Sequence, residues 1–309
     1  RKGKGISKKT LKLLKAKLAS GKSGNLTAKT PREDQLQILI QNYQHGRFDI
    51  AETLALSLTK DFPDHQLSWQ VLGGIFSQTS RIIEASKVYE KLIQLLPDNA
   101  EFHYNLGTIL QQLDKLGDAE IRLKRAIALN PDYTKAYNNF GLILHKQGNF
   151  KKAKENYRKA IAIDPLFSEA HNNLGITLIR MDRLAEAESS FREAINLRSD
   201  FAEAFNSLGK LLKIQKRLDE ALACYVTAIG LNPNVDYLLG NTAYLKQALG
   251  EWDTLSQDLK DLTASIHAGK RVAPPLNALI DAPDLQQKCS EIILNDKFPQ
   301  SNLLPDIVP

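Results

Sequence analysis

One interval governs this sequence. Gly73, Gly107, Gly141, Gly175 and Gly209 are spaced by 34 residues, and Ala51, Ala85, Ala119, Ala153, Ala187 and Ala221 keep the same step. Pro63, Pro97, Pro131 and Pro165 follow it too, and Pro233 resumes it after Ser199 takes one place. Three residue types holding one period over roughly 180 residues commit the chain to stacked copies of a single small unit.

The chemistry of each position says what the unit is. The glycines lie inside helical patterns, where a missing side chain lets a second helix approach the backbone. Leu72, Leu106, Phe140, Leu174 and Leu208 immediately precede them and are expected to face that partner helix. In the partner, Ala85, Ala119, Ala153, Ala187 and Ala221 are each followed four residues later by Tyr89, Leu123, Tyr157, Phe191 and Tyr225. Ala126, Ala160, Ala194 and Ala228 come three residues further on, completing an i, i+4, i+7 apolar stripe. Proline closes each unit because it cannot continue a helix, and Gln147-Gly148-Asn149 has the composition of the bend within one.

Charge is distributed unevenly. The 309 residues carry a net +6, yet residues 1–30 contain ten Lys or Arg and no acid, which leaves −4 for the rest. The basic character therefore belongs to a leader, residues 1–31, whose Thr10–Leu18 stretch is helix-like. Gly21, Gly24 and Thr30-Pro31 separate it from the fold, so it is read as a solubilising start and not as a nucleic-acid or membrane contact. No apolar run is long enough to span a bilayer, no signal peptide is evident, and Cys224 and Cys289 match no metal or redox motif. The expected compartment is the cytosol. With Arg1 at one end and Ile307-Val308-Pro309 at the other, the chain is expected to be a piece of something longer.

The Leu-Gly, Ala, aromatic, Ala, Pro pattern resembles the tetratricopeptide repeat family across roughly residues 32–267. Six units follow, 32–65, 66–99, 100–133, 134–167, 168–201 and 202–235. Residues 236–268 form a degenerate seventh with Thr242-Ala243 in the Leu-Gly place, and the first unit has Ile38-Leu39 there. The resemblance implies an all-α fold, a right-handed superhelix of helix-turn-helix units (an α-solenoid), with first helices lining a concave surface.

On that surface, two residues before the glycines, stand Asn105, Asn139 and Asn173, with Asn241 in the equivalent place before Ala243. Ser207 and Val71 interrupt the series. A carboxamide both donates and accepts, so a row of them can grip an extended polypeptide backbone whatever its sequence. The same residues could equally bond only to the neighbouring repeat. Asn138, Asn172 and Asn206 are possible groove neighbours. The six histidines lack ligand spacing; His103 and His171 take the aromatic position of their units, so packing and not metal is expected. There is no phosphate loop, nucleophile elbow or clustered carboxylate pair, so no catalytic residue is assigned.

Beyond about residue 250 the period fails. Asn241-Thr242-Ala243, Trp252-Asp253, Pro274-Pro275, Leu279-Ile280-Asp281-Ala282-Pro283 and Leu285-Gln286 resemble the junction of bacterial O-linked N-acetylglucosamine transferase-type (SPINDLY-like) proteins. That resemblance covers residues 236–309, with 269–309 as a helical linker towards a catalytic domain. It implies that the asparagine row holds an acceptor polypeptide, and that the parent is a protein O-linked glycosyltransferase using a nucleotide sugar such as UDP-GlcNAc. This stretch itself needs no cofactor or metal and is not expected to bind nucleic acid. Two other readings stay open: a stand-alone adaptor for complex assembly, and the repeat arm of another enzyme such as a sulfotransferase or an oxygenase.

Overall fold

The computed structural model describes residues 30–250, 253, 255–269 and the single positions 287 and 291. The leader up to residue 29, Trp252, Cys289 and, apart from positions 287 and 291, the junction after residue 269 lie outside the described residues. Among these residues the regular structure is entirely α-helical, in fourteen helices. They are α1 (Glu33–Gln44), α2 (Phe48–Asp61), α3 (Gln66–Gln78), α4 (Ile82–Leu95), α5 (Ala100–Gln112), α6 (Leu116–Leu129), α7 (Thr134–Lys146) and α8 (Phe150–Ile163). Then follow α9 (Ser168–Arg180), α10 (Leu184–Leu197), α11 (Ala202–Ile214), α12 (Leu218–Leu231), α13 (Leu238–Leu249) and α14 (Leu255–His267). The chain divides into two compact units, Arg1–Ile163 and Asp164–Pro309.

Within each unit odd and even helices pair as antiparallel hairpins, and each hairpin packs on the next. Successive first helices also touch directly, α1 on α3 and α5 on α7 in the first unit, α9 on α11 in the second. The first helices thus form the more crowded, inner side of each stack.

The periodic residues sit where their chemistry requires. All the spaced alanines from Ala51 to Ala221 are fully buried, as are Ala126, Ala160, Ala194 and Ala228. The glycines are spaces cut to fit the facing side chain. A methyl group on Gly141, Gly175 or Gly209 would lie 2.6 Å from the ring of Tyr157, Phe191 or Tyr225 respectively. At Gly107 the nearest atom, of Leu123, is 2.9 Å away, and at Gly73 the Tyr89 ring is 3.1 Å away.

The first repeat inverts this arrangement. Leu39 stands in the glycine place and Ala55 in the aromatic place, and both are fully buried. Bulk has been exchanged across the helix pair, which keeps the total volume that a close-packed interior demands. Ile38 does not face the partner helix as the preceding residue does in later repeats; it is exposed.

Each hairpin bend uses one left-handed residue, again at the 34-residue step: Gly46, Ser80, Asp114, Gly148, Asp182 and Lys216 all have φ between +57° and +78°. The next N–H reaches back five residues, as Arg81 to the Phe76 carbonyl (2.9 Å) and Arg217 to that of Leu212 (3.0 Å). This closes the first helix as a Schellman motif, satisfying carbonyls the helix end would leave bare.

Candidate functional site

The inner face carries the polar residues that could meet a ligand. In the first unit Asn105 lies on α5 and Asn139 on α7, on helices that touch. Both are half-buried. The Tyr89 hydroxyl is hydrogen-bonded with the Asn105 side chain. Asn139 is more fully engaged: its Nδ2 donates to the Tyr104 hydroxyl and to Thr108 Oγ1, both at 3.3 Å, and its Oδ1 accepts from Asn138 Nδ2 at 3.3 Å. In the second unit Asn173 is half-buried on α9, while Asn241 on α13 is buried and accepts from Lys213 Nζ at 3.3 Å.

Asn105, Asn139 and Asn241 therefore tie a repeat to the one before it. The two roles open at the level of sequence are compatible, because each carboxamide has up to four hydrogen-bonding positions. Asn138, Asn172 and Asn206 belong to a different layer. They are only 5%, 6% and 6% exposed, beneath the inner surface. The Oδ1 atoms of Asn172 and Asn206, one repeat apart, have no hydrogen-bond partner in the protein.

Another bond recurs at a fixed distance from the repeat proline. Trp69 Nε1 donates to the Pro63 carbonyl at 2.7 Å, and His103 Nε2 to that of Pro97 at 2.8 Å. His171 Nε2 does the same to Pro165 at 3.2 Å. A ring N–H six residues after the repeat proline ties down the turn between units, which is why histidine can replace tryptophan there. Since a carbonyl only accepts, the proton of His103 is on Nε2, and Nδ1 is left bare and buried. Burial pushes the His103 imidazole below its ordinary pKa, aided by Arg122 and Arg125 and opposed by the Pro97 carbonyl and Asp98.

At the far end of the second unit the inner face becomes basic. Lys210 and Lys213 occupy one side of α11, and the Lys213 ammonium lies 5.6 Å from the centre of the Tyr244 ring on α13. Partial withdrawal of the Lys210 ammonium from water, together with the charge of Lys213, lowers its pKa, with Asp236 acting the other way.

The outer face is tied by arginines at the start of second helices. Arg81 grips Glu52 at 2.6 and 2.8 Å, and Arg217 grips Glu188 at 2.9 and 3.0 Å, each spanning 29 residues. Exposed pairs of this kind stabilise little individually. Among the described residues there is no group of three or more His, Cys, Asp or Glu able to hold a metal ion. No described helix is long and apolar enough to cross a membrane.

Comparison with known families decides the identity of the repeat. Models described as "TPR repeat" match residues 73–114 and 141–182, and "Tetratricopeptide repeat" models match 100–133, 123–155, 168–201 and 202–235. Together they run without a gap from residue 73 to 235, more than half of the chain. The chain belongs to the tetratricopeptide repeat family. No curated protein matches the sequence significantly.

Several solved structures resemble the fold at low identity. The Cut9–Hcn1 hetero-tetramer of APC/C superposes with a TM-score of 0.66 at 15% identity, covering 92% of this chain and 52% of that one. PilW, a type IV pilus biogenesis factor, gives 0.59 at 21% identity over 67% of this chain and 96% of its own. Pseudomonas aeruginosa pilF gives 0.58 at 19% identity, over 64% and 90%. The likeness is one of fold. The tetratricopeptide array is an all-α solenoid and a protein-binding scaffold.

Proposed function

We propose that the inner face of this array holds an extended polypeptide, and that in the parent protein it recruits acceptor chains to a protein O-linked glycosyltransferase domain. The observation that carries the first half is the recurrence of amide side chains on touching first helices, Asn105 with Asn139 and, in the other unit, Asn173. An amide fixed by a neighbouring repeat is held in one orientation, so its remaining donor or acceptor positions meet a backbone at little entropic cost. The second half rests on the sequence of the junction after Asn241 and on the asparagine row. On this reading the array binds the acceptor, and the donor, a nucleotide sugar such as UDP-GlcNAc, binds elsewhere in the parent.

The experiment is a transfer assay with the whole parent chain and UDP-GlcNAc. Deleting residues 32–235 should abolish labelling of protein acceptors while sparing hydrolysis of the nucleotide sugar. Undiminished acceptor labelling would refute the recruiting role. A parent that handles no nucleotide sugar would leave a protein-binding adaptor in place of a glycosyltransferase arm.

A further inference from the structure

The first helices of the array are not uniform in charge. α1, α3 and α5 carry no Lys or Arg at all and α7 carries Lys135 and Lys146, whereas α9, α11 and α13 carry Arg180, Lys210, Lys213 and Lys246 against Glu169 and Glu203. Glu169 is already taken by Arg198, at 2.7 Å. Lys210 makes no ion pair among the described residues, and Lys213 is anchored by uncharged groups, the Asn241 carboxamide and the Tyr244 ring. Beside them Ile214 and Tyr244 are 53% and 55% exposed, large apolar surface on a face otherwise polar.

We propose that the inner face of α11 and α13 is a subsite for an acidic stretch of the bound polypeptide, with Lys210 and Lys213 each receiving a side-chain carboxylate. The proposal rests on the reading that the groove binds polypeptide, and adds the chemistry of what it prefers. Two lysines three residues apart lie on one helix side, about 4.5 Å apart along the axis. Lys213 is turned towards α13 by its contacts, and Lys210 feels the charge of Asp236, just before α13. They present two cationic positions, which suits two aspartate or glutamate side chains better than a single terminal carboxylate. A carboxylate would relieve the repulsion between the two ammonium groups, and Tyr244 and Ile214 would cover the aliphatic part of the bound segment. The outer helices of the same unit are acidic on balance, with Glu186, Glu188, Glu193, Asp219 and Glu220 against Arg192 and the Arg183 and Arg217 that precede them. An acidic partner is therefore steered to the inner face and away from the outer one.

Short random peptides displayed internally on phage, and the same library with free C-termini, are selected against the full chain. The selection is repeated against the Lys210→Gln/Lys213→Gln variant and against Lys210→Arg/Lys213→Arg. Wild type should enrich Asp and Glu in the internal library, the glutamine variant should lose that enrichment, and the arginine variant should keep it. A selected peptide should bind the glutamine variant about tenfold more weakly, with unchanged circular dichroism and melting of the protein. Peptides selected without acidic bias, or with a bias indifferent to Lys210 and Lys213, overturn the subsite while leaving polypeptide binding standing. Enrichment only in the free C-terminus library overturns the assignment to side-chain carboxylates. Failure of every form to select any peptide overturns the groove reading itself, and the subsite with it.

Discussion

The two compact units repeat the same hairpin at the same interval, yet they distribute charge in opposite senses. In the first unit the basic residues crowd onto second helices: α6 and α8 together carry eight Lys or Arg against Asp118, Glu120 and Glu155. In the second unit they move to the first helices and the acids to the second. The glycine, alanine and ring-or-leucine positions of the 34-residue period are buried, and they are interchangeable between units. The charged positions on the helix surfaces face water and differ. Fold is written in the first set and partner choice in the second, so the same scaffold can offer two surfaces.

The repeats also differ in how tightly glycine and ring are fitted, at 2.6 Å for Gly141, Gly175 and Gly209 against 3.1 Å for Gly73, and this gives the largest expected effects. Gly175→Ala and Gly209→Ala in the second unit place a methyl 2.6 Å from a ring held by packing, and should each destabilise by about 2–3 kcal/mol, the upper range for overpacking. Gly73→Ala in the first unit meets Tyr89 only at 3.1 Å. There, better helix propensity offsets much of the strain and the net loss should stay below about 1 kcal/mol. Urea melts of the three variants check this, and equal losses would erase the distinction. The inverted first repeat sharpens it. Ala55→Tyr alone should clash with Leu39, while Leu39→Gly added to it should recover part of the loss, as a double-mutant cycle reports.

The asparagines come next. Asn105→Ala, Asn139→Ala and Asn173→Ala together should weaken an extended peptide by about tenfold, at about 0.5–1.5 kcal/mol for each hydrogen bond lost. Stability should not be spared uniformly. Asn139 holds Tyr104 and Thr108, so its single replacement should cost about 1 kcal/mol, and Asn105→Ala less. Thermal melts beside a fluorescence titration separate the two effects. Lost stability with unchanged affinity would make these residues spacers between repeats and nothing more.

The sequence made the fold readable because its information is local and repeated: a buried alanine or a ring-facing glycine looks the same in every copy. The Leu39–Ala55 exchange was hidden because each residue departs from the pattern singly, and only the facing pair restores it. The site was less legible for a related reason. Asn138 and Asn139 are adjacent in sequence but differ in burial, and helical phase alone did not predict which would lie under the surface. The hydrogen bond from Lys213 to Asn241 crosses between repeats, and a bond between side chains 28 residues apart leaves no mark on either one.

A smaller effect comes from the hairpin bends. Lys216 in the second unit holds φ at 64°, where the first unit has Gly148 at 78° in the same register. A side chain there costs on the order of 1 kcal/mol. Lys216→Gly should therefore stabilise by about 0.5 kcal/mol after the added freedom of the unfolded chain is counted, and Gly148→Ala should destabilise by about 1 kcal/mol. Chemical denaturation of both variants is the check, and stabilisation by Gly148→Ala would remove the argument from strain.

The smallest effect belongs to the first unit, which contains His65 and His103, both held below the ordinary imidazole value by burial. A histidine whose folded pKa is depressed binds its proton more readily when unfolded. Its neutral form is compatible with the fold above the unfolded value near 6.5, and stability falls as pH drops below it. Protonating His103 would place a charge on Nδ1, which is buried without a hydrogen-bond partner in the protein, while Nε2 already serves the Pro97 carbonyl. His103→Gln keeps a donor for that carbonyl and removes the titration. Between about pH 7.5 and about pH 5.5 the wild type should lose more melting temperature than this variant, by less than about 2 °C. The carboxylates cannot imitate the effect, because Glu84 and Glu120, lowered by hydrogen bonds from Arg81 and Lys124 respectively, lose their contribution only at lower pH. Coincident acid limbs for wild type and His103→Gln would mean that the Nδ1 proton is accommodated and that the bare nitrogen plays no part in the first unit's stability.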